Sequence, residues 1–266
     1  MMGGRLYVIG AGMAGLAAAV RAVGNGRDVT VMEAARHGGG RCRSFHDAGL
    51  DRVIDNGTHM ILGANQKVFK FLDAVGAKDG LLPMGNGEFN FFDLASGDSW
   101  SLRPGKESIP WWLLLPSRRV PDTGLRDYLA LRHLAGAGGG ASLGDFFDPS
   151  RPIYERLWAP LSLAVLNNRP ETASARLFWR VFEKTFFKGA KACQPFWAPA
   201  GLSAALIGPA MAFLLENGTE VRFSRLLKAL LSAEERITQL NFAKDSIELA
   251  PEDSVILAVP PGQARS

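Results

Sequence analysis

Arg5-Leu-Tyr-Val-Ile-Gly-Ala-Gly-Met-Ala-Gly15, Val29-Thr-Val-Met-Glu33 and Gly38-Gly-Gly-Arg-Cys-Arg-Ser44 lie within one stretch of forty residues, and this stretch decides the fold. Leu6 to Ile9 is a short apolar run of β-forming residues, as a strand buried on both faces should be. Gly10-Ala11-Gly12-Met13-Ala14-Gly15 then supplies G-x-G-x-x-G and opens an alanine-rich segment, Leu16 to Val23, of strong helix propensity. Gly10 serves the tight turn, Gly12 lets the backbone approach a pyrophosphate, and Gly15 lets helix and strand pack closely. The phosphates are expected at the helix N-terminus, around Met13 and Ala14, where unpaired N–H groups meet the positive end of the dipole. Gly24 and Gly26 stop the helix, and Val29 to Met32 reads as the second strand.

Glu33 falls 18 residues after Gly15, close to the ~20 expected of a ribose-binding acid. A carboxylate there accepts the ribose hydroxyls and repels a 2′-phosphate. The expected ligand is therefore a dinucleotide carrying adenosine diphosphate without that phosphate. A lone G-x-G-x-x-G is often only a glycine-rich turn; here strand, glycines, helix, strand and acid arrive in register.

Gly38-Gly39-Gly40-Arg41 offers consecutive unhindered N–H donors and a guanidinium, a second anion site for which an ordinary NAD domain has no use. The bland alternative is a glycine loop with a solvated arginine. The run resembles the G-G-R-x-x-S/T segment of the flavin amine oxidase and phytoene desaturase superfamily, with Gly39, Gly40 and Arg41 on the motif and Ser44 at its last position. The resemblance implies that Gly39, Gly40 and Arg41 contact the pyrophosphate of FAD.

Two cysteines, Cys42 and Cys193, without a pairing pattern argue against a disulfide framework or a zinc site and fit a reducing cytosol. His37, His46, His59 and His133 show no metal-ligand spacing. A net charge of +4 comes from scattered arginines rather than a basic block, so no nucleic-acid partner is expected. A hydrophobic content of 47% suffices for a sizeable core. The apolar block Ile109 to Pro116 is far too short to span a bilayer. With a sparingly soluble substrate, Trp111 to Leu115 suits peripheral contact with the inner membrane face.

Further along, Ala64 to Val75 has helical spacing and stops at Gly76, and Phe89 to Leu94 with Trp100 to Leu102 reads as a hairpin. Leu125 to Ala135, Ile153 to Asn167, Glu171 to Phe187 and Leu202 to Glu216 read as helices, with Pro170 at a helix N1 position. Glu220 to Phe223, Arg236 to Leu240, Ser246 to Leu249 and Ser254 to Val259 read as short strands returning to the nucleotide sheet.

Asp55-Asn-Gly-Thr-His59, Leu157-Trp-Ala-Pro-Leu to Asn167, Glu171-Thr-Ala-Ser174, Pro199-Ala-Gly-Leu-Ser203 and Leu257-Ala-Val-Pro-Pro261 resemble one branch of that superfamily, the squalene-associated FAD-dependent desaturases of hopanoid biosynthesis. The fold implied is α/β: a Rossmann-like FAD-binding domain of the GR2 flavoprotein type with an inserted α+β substrate domain. The expected boundaries are 1–63 and 200–266 for the FAD-binding domain and 64–199 for the substrate region. Proteins of this branch continue past the position of Ser266, so the chain is expected to be truncated at its C-terminus. The cofactor-binding set expected is Gly10, Gly12, Met13, Ala14, Gly15, Glu33, Gly39, Gly40, Arg41, Asn56, Gly57, Thr58 and Leu227.

The activity implied is reductive dehydroxylation of hydroxysqualene to squalene. His59 is the expected acid for the departing hydroxyl, with Asp55 holding or charging it; a capping role for Asp55 and a backbone hydrogen bond for His59 are the plain alternatives. A tunnel for a C30 polyene is expected along Trp111, Trp112, Trp158, Phe178, Trp179, Phe182, Phe186 and Phe187, although the same rings suit an ordinary core. A carotenoid-type desaturase, an amine oxidase and a non-catalytic flavin- or lipid-binding fragment fit the same glycine motifs.

Overall fold

The computed structural model describes residues 4–57, 60–105 and 111–264, with the side chains of Trp111 and Trp112 left aside. The chain divides into two compact units: Met1–His59, Lys67–Leu82 and Ala198–Ser266 form one, Met60–Gln66 and Pro83–Trp197 the other. Residues 67–82, expected in the middle region, thus belong with the first unit. Inside that unit, a side chain at Gly80 would meet the Ala205 carbonyl oxygen at 3.0 Å.

The first unit is built on a parallel sheet. β1 (Leu6–Ile9) lies between β2 (Val29–Met32) and strand Ser254–Leu257, and strand Glu220–Arg222 pairs with the other side of β2. Every residue of β1 and β2 is buried, as the unbroken apolar run requires. α1 (Met13–Gly24) packs against β1, β2 and helix Gly208–Glu216. Tyr7, Ile9 and Met32 join Leu240 and Phe242 in a second layer of core. Those last two come from an antiparallel meander of Leu227–Ala233, Arg236–Phe242 and Ser246–Glu248.

Strand Leu227–Ala233 was not among the expected strands. Its sequence, Leu-Lys-Ala-Leu-Leu-Ser-Ala, has no β-branched residue. Its hairpin turn, Glu234-Glu235, holds φ of +49° and +64° without the Asn or Gly that normally marks such a turn. A second hairpin, β3 (Ser44–Asp47) with β4 (Arg52–Asp55), carries the end of the G-G-R-x-x-S segment into Asp55.

The second unit is a helical cluster around Trp158, which is 1% exposed. Phe147 stacks on the indole at 4.8 Å, and Tyr128, Phe178 and Phe182 meet it edge-on at 6.0–6.4 Å between centroids. The hairpin is Phe89–Phe92 with Ser99–Leu102. The helix expected from Glu171 begins only at Ala175, because Ser174 adopts extended backbone and accepts the Leu177 amide as N-cap. Pro170 sits in the turn before it. The helix expected over 125–135 is α-helical only through Leu125–Leu129 and continues as a tighter 3₁₀ segment, Ala130–Gly136.

Candidate functional site

β1 delivers the chain into Gly10, which holds φ +106°, and a Cβ there would sit 2.6 Å from the Ala258 carbonyl oxygen. A Cβ on Gly15 would lie 1.8 Å from the Gly10 carbonyl oxygen, so only glycine lets α1 sit this close to the turn. Gly12 differs from both: nothing lies within 4 Å of its Cβ position. Gly12 is also the N-cap residue of α1 and offers no side-chain cap, and no acidic residue occupies the first turn. The amides around Met13, Ala14 and Gly15 thus form an open, positively polarised helix end twelve residues long behind its tip.

The second glycine segment is stitched to the first. The Gly39 amide donates to the Ala11 carbonyl at 2.8 Å, and Gly12 and Gly39 pair as a parallel bridge. Gly39 (φ +105°) and Gly40 (φ +54°) both need left-handed backbone, and a Cβ on Gly40 would be 3.3 Å from the Gly12 Cα. Arg41 follows in the turn Gly40–Cys42, exposed and without a partner among the described residues. The two motifs, bridged by Gly12 and Gly39 at 39 − 12 = 27 residues apart, therefore form one backbone cradle with a guanidinium at its rim.

Glu33, at the end of β2, braces the cradle. Its Oε2 accepts the Ala11 amide at 2.7 Å and its Oε1 the Ala35 amide at 2.8 Å. Each carboxylate oxygen retains a lone pair for a further donor. A third segment closes on it: the Arg225 amide donates to the Glu33 carbonyl and the Ser224 amide to the Ala35 carbonyl, both within 2.9 Å. Leu227, two residues on, is half-buried against the cluster of Tyr7, Ile9, Met32, Leu240 and Phe242.

Asp55 has two hydrogen bonds to its Oδ1, from Ser44 Oγ at 2.6 Å and the Leu202 amide at 2.9 Å. Ser44 and Ser203 each donate a backbone amide to the other's hydroxyl, at 2.7 and 2.8 Å. The knot caps the first amides of the helix starting at Leu202, the plainer of the two roles expected of Asp55. It requires Gly201, at φ +85°, where a Cβ would fall 2.8 Å from Ser44 Oγ. Ser203 and Leu202 were missing from the expected site; the Pro-Ala-Gly-Leu-Ser run was the signal available for them. Asn56 donates its amide to the Arg43 carbonyl at 2.9 Å and continues the strand end. Gly57 is the last residue described before Thr58 and His59, which lie outside the described residues.

Of the eight rings expected along a tunnel, four take the core reading instead, and the side chains of Trp111 and Trp112 lie outside the described residues. Trp158, Phe178, Phe182 and Phe186 are at most 5% exposed and pack against one another as core. Trp179 and Phe187 are half-buried against the same core. Burial also pushes the Cys193 thiol up to about 12.

A parallel sheet, a glycine-opened helix and a second glycine segment sharing one cradle define a protein of the Rossmann-like fold class. Residues 13–266 match the profile of the flavin containing amine oxidoreductase family, and the chain belongs to that family. It is 44% identical over 262 residues to the hydroxysqualene dehydroxylase of Rhodopseudomonas palustris, covering 98% of this chain and 63% of the relative. It is 40% identical to that of Sinorhizobium fredii, covering 97% and 62%. A putative protoporphyrinogen oxidase from Exiguobacterium shares the fold at a TM-score of 0.63 and 21% identity, over 98% of this chain and 60% of that one. The chain thus spans a little over three fifths of the length of the relatives it matches. The family's cofactor is a flavin.

Proposed function

We propose that the chain is the FAD-binding part of an oxidoreductase that replaces a hydroxyl of a long apolar isoprenoid by hydrogen, converting hydroxysqualene to squalene. The observation that carries the reading is the Gly12–Gly39 junction. It puts an open helix end and a second row of backbone donors side by side, as a ligand with two adjacent phosphates demands. The likeness to two hydroxysqualene dehydroxylases over nearly the whole chain supports the substrate class.

The residues present fit FAD. Gly10 and Gly15 shape the turn, while Gly12, Met13, Ala14, Gly39, Gly40 and Arg41 hold the pyrophosphate. Glu33 would take the ribose hydroxyls with the lone pairs its two amide partners leave free, and Leu227 would contact the cofactor's adenosine part. Asn56, Gly57 and Thr58 would complete the contacts to the cofactor. When bound and in its two-electron reduced form, charged beforehand by an external reductant, the flavin would supply hydride to the carbon that loses the hydroxyl. His59 gives the proton with which the hydroxyl departs as water, and Asp55, four residues upstream, holds the segment that carries it. The two thiols, Cys42 and Cys193, are unpaired, which suits a cytosolic setting.

The test is the visible spectrum of the purified chain and its thermal protection by added FAD. A yellow protein, or one whose melting temperature rises with FAD, is expected; a colourless chain that gains nothing overturns the reading. Gly12→Ala should fold like the wild type, since its Cβ meets no protein atom, yet lose roughly tenfold or more in FAD affinity, about 1.4 kcal/mol. In a chain of the relatives' full length, His59→Ala is expected to lose single-turnover squalene formation. Undiminished product would remove His59 from the acid's role.

A further inference from the structure

Backbone hydrogen bonds wrap residues 222–225 around the end of β2, where Glu33 stands. The Glu33 amide donates to the Arg222 carbonyl at 2.8 Å, the Arg225 amide to the Glu33 carbonyl at 2.8 Å, and the Ser224 amide to the Ala35 carbonyl at 2.9 Å. Both backbone groups of Glu33 are thereby held, and with them Ala35, whose amide the Glu33 carboxylate accepts. The wrap is not one the chain takes freely. Ser224 sits at φ +56°, left-handed backbone that a residue with a side chain adopts only at a cost. The segment needs an anchor.

The Arg225 side chain supplies it. Nη1 donates to Asp245 Oδ2 at 2.6 Å and Nη2 to Asp245 Oδ1, a two-pronged pair. The guanidinium also lies over the Phe242 ring, 4.7 Å from its centroid. Phe242 is buried in the core shared with Tyr7, Ile9 and Met32, and is the register partner of Leu227. The Phe242 amide closes the turn that carries Asp245, donating to its carbonyl at 2.8 Å. Residues 222–225 are therefore clamped to the meander. As a source of stability the clamp is poor. The Arg225 side chain is only 19% exposed, and its Nε is buried without an acceptor among the described residues. A largely buried cation with an unsatisfied donor gains little net stability, and what it places accounts for it better.

We propose that Arg225 is a positioning residue for the adenosine half of the cofactor: gripped by Asp245 and Phe242, it holds the segment that sets the Glu33 carboxylate against the ribose hydroxyls. The proposal rests on the flavin reading of the cradle and deepens it. Arg225 acts through Glu33 and needs no contact of its own with the nucleotide.

Calorimetric titration of the purified chain with FAD, ADP and 2′,3′-dideoxy-ADP tests this. Dideoxy-ADP lacks both hydroxyls that Glu33 would accept, so the ratio of the two ADP affinities reads the placement of the carboxylate and not the stability of the chain. The wild type should prefer ADP roughly tenfold, the worth of one hydrogen bond to a charged acceptor. Arg225→Met keeps an unbranched side chain against Phe242 but loses the two-pronged pair. Its FAD affinity should fall roughly tenfold and its ratio should approach one. Arg225→Lys, which keeps the charge without the fork, should fall between. Asp245 is half-exposed, so Asp245→Asn should fold even if Arg225→Met does not, and should shift the ratio the same way.

A lowered melting temperature with an unchanged ratio would mean that the pair only stabilises the meander, and would overturn the proposal. So would a wild type that binds ADP and dideoxy-ADP alike. A wild type that binds neither FAD nor ADP would bring down the cofactor reading, and this proposal with it. Binding by the wild type therefore tells the two failures apart.

Discussion

The two units contain the same irregularity and use it for different ends. In the second, the helix that begins before Tyr154 opens into a π-turn over Tyr154–Trp158, and in the first, the helix from Leu202 does so over Ser203–Ile207. Each π-turn is followed two residues later by a proline, Pro160 or Pro209. Proline cannot donate to the carbonyl four residues back, and its ring crowds that carbonyl; widening the preceding turn relieves both. In the second unit the widened turn delivers Tyr154, Leu157 and Trp158 into an aromatic core. In the first it is anchored at its opening amides by Asp55 and Ser44, beside the glycine cradle. The aromatic core of the second unit owes its order to side-chain volume, with blocked backbone approaches only at its edge, as where a Cβ on Gly63 would lie 2.0 Å from the Lys191 carbonyl oxygen. The first unit's cradle rests on such approaches at Gly10 and Gly15.

One unit should therefore fail when atoms are added and the other when atoms are removed. The largest effect is expected from Gly15→Val. The obstacle at 1.8 Å is the backbone oxygen of Gly10, which no rotamer change can clear. A loss above about 4 kcal/mol is expected, seen as insoluble protein or as the absence of any FAD-dependent rise in melting temperature. Gly15→Ala should fare little better, because the first added carbon already collides. A well-folded Gly15→Val protein would end the claim that close backbone approach organises this unit.

Phe178→Ala tests the other half of the contrast. The ring is fully buried between Phe147, Trp158 and Phe182, and removing it should cost about 3–5 kcal/mol. Phe178→Leu should recover most of that by keeping volume, as no larger residue can at Gly15. Denaturant titration followed by tryptophan fluorescence reads both. Equal losses for alanine and leucine would show that ring geometry, rather than volume, holds this core.

The same contrast governs what could be read from sequence. Gly10, Gly39 and Gly40 were legible because left-handed backbone is nearly confined to glycine, so the conformation writes itself into the residue type. The hairpin turn at Glu234-Glu235 uses the same backbone region without such a mark, and strand Leu227–Ala233 was lost with it. Ser203 was illegible for another reason: its partner Ser44 is 159 residues away, and only the fold brings them together. In the second unit, spacing showed that helices exist, but Ser174 and the prolines moved their limits. The rings of Trp158 and Phe178 are equally apolar in a core and in a tunnel, so composition could not tell one from the other.

The smallest expected effect concerns the rim of the aromatic core, where side-chain packing meets charge. Tyr154, buried, donates its hydroxyl to Glu171 Oε1 at 2.5 Å. Burial first, then this hydrogen bond, push the phenol up to about 12, while the bond holds the Glu171 carboxyl below its usual range. A phenol whose folded pKa is raised contributes stability that is fully present below its unfolded value near 10 and is lost as pH rises towards 12. A carboxyl whose folded pKa is lowered contributes above its unfolded value, and loses that contribution as pH falls through the folded one. The difference in melting temperature between wild type and Tyr154→Phe should therefore be widest from mildly acidic pH up to about pH 10, and shrink at both ends. A gap that stayed constant from acid to alkali would mean that the ring alone matters there, and that the second unit stands on volume even at its edge.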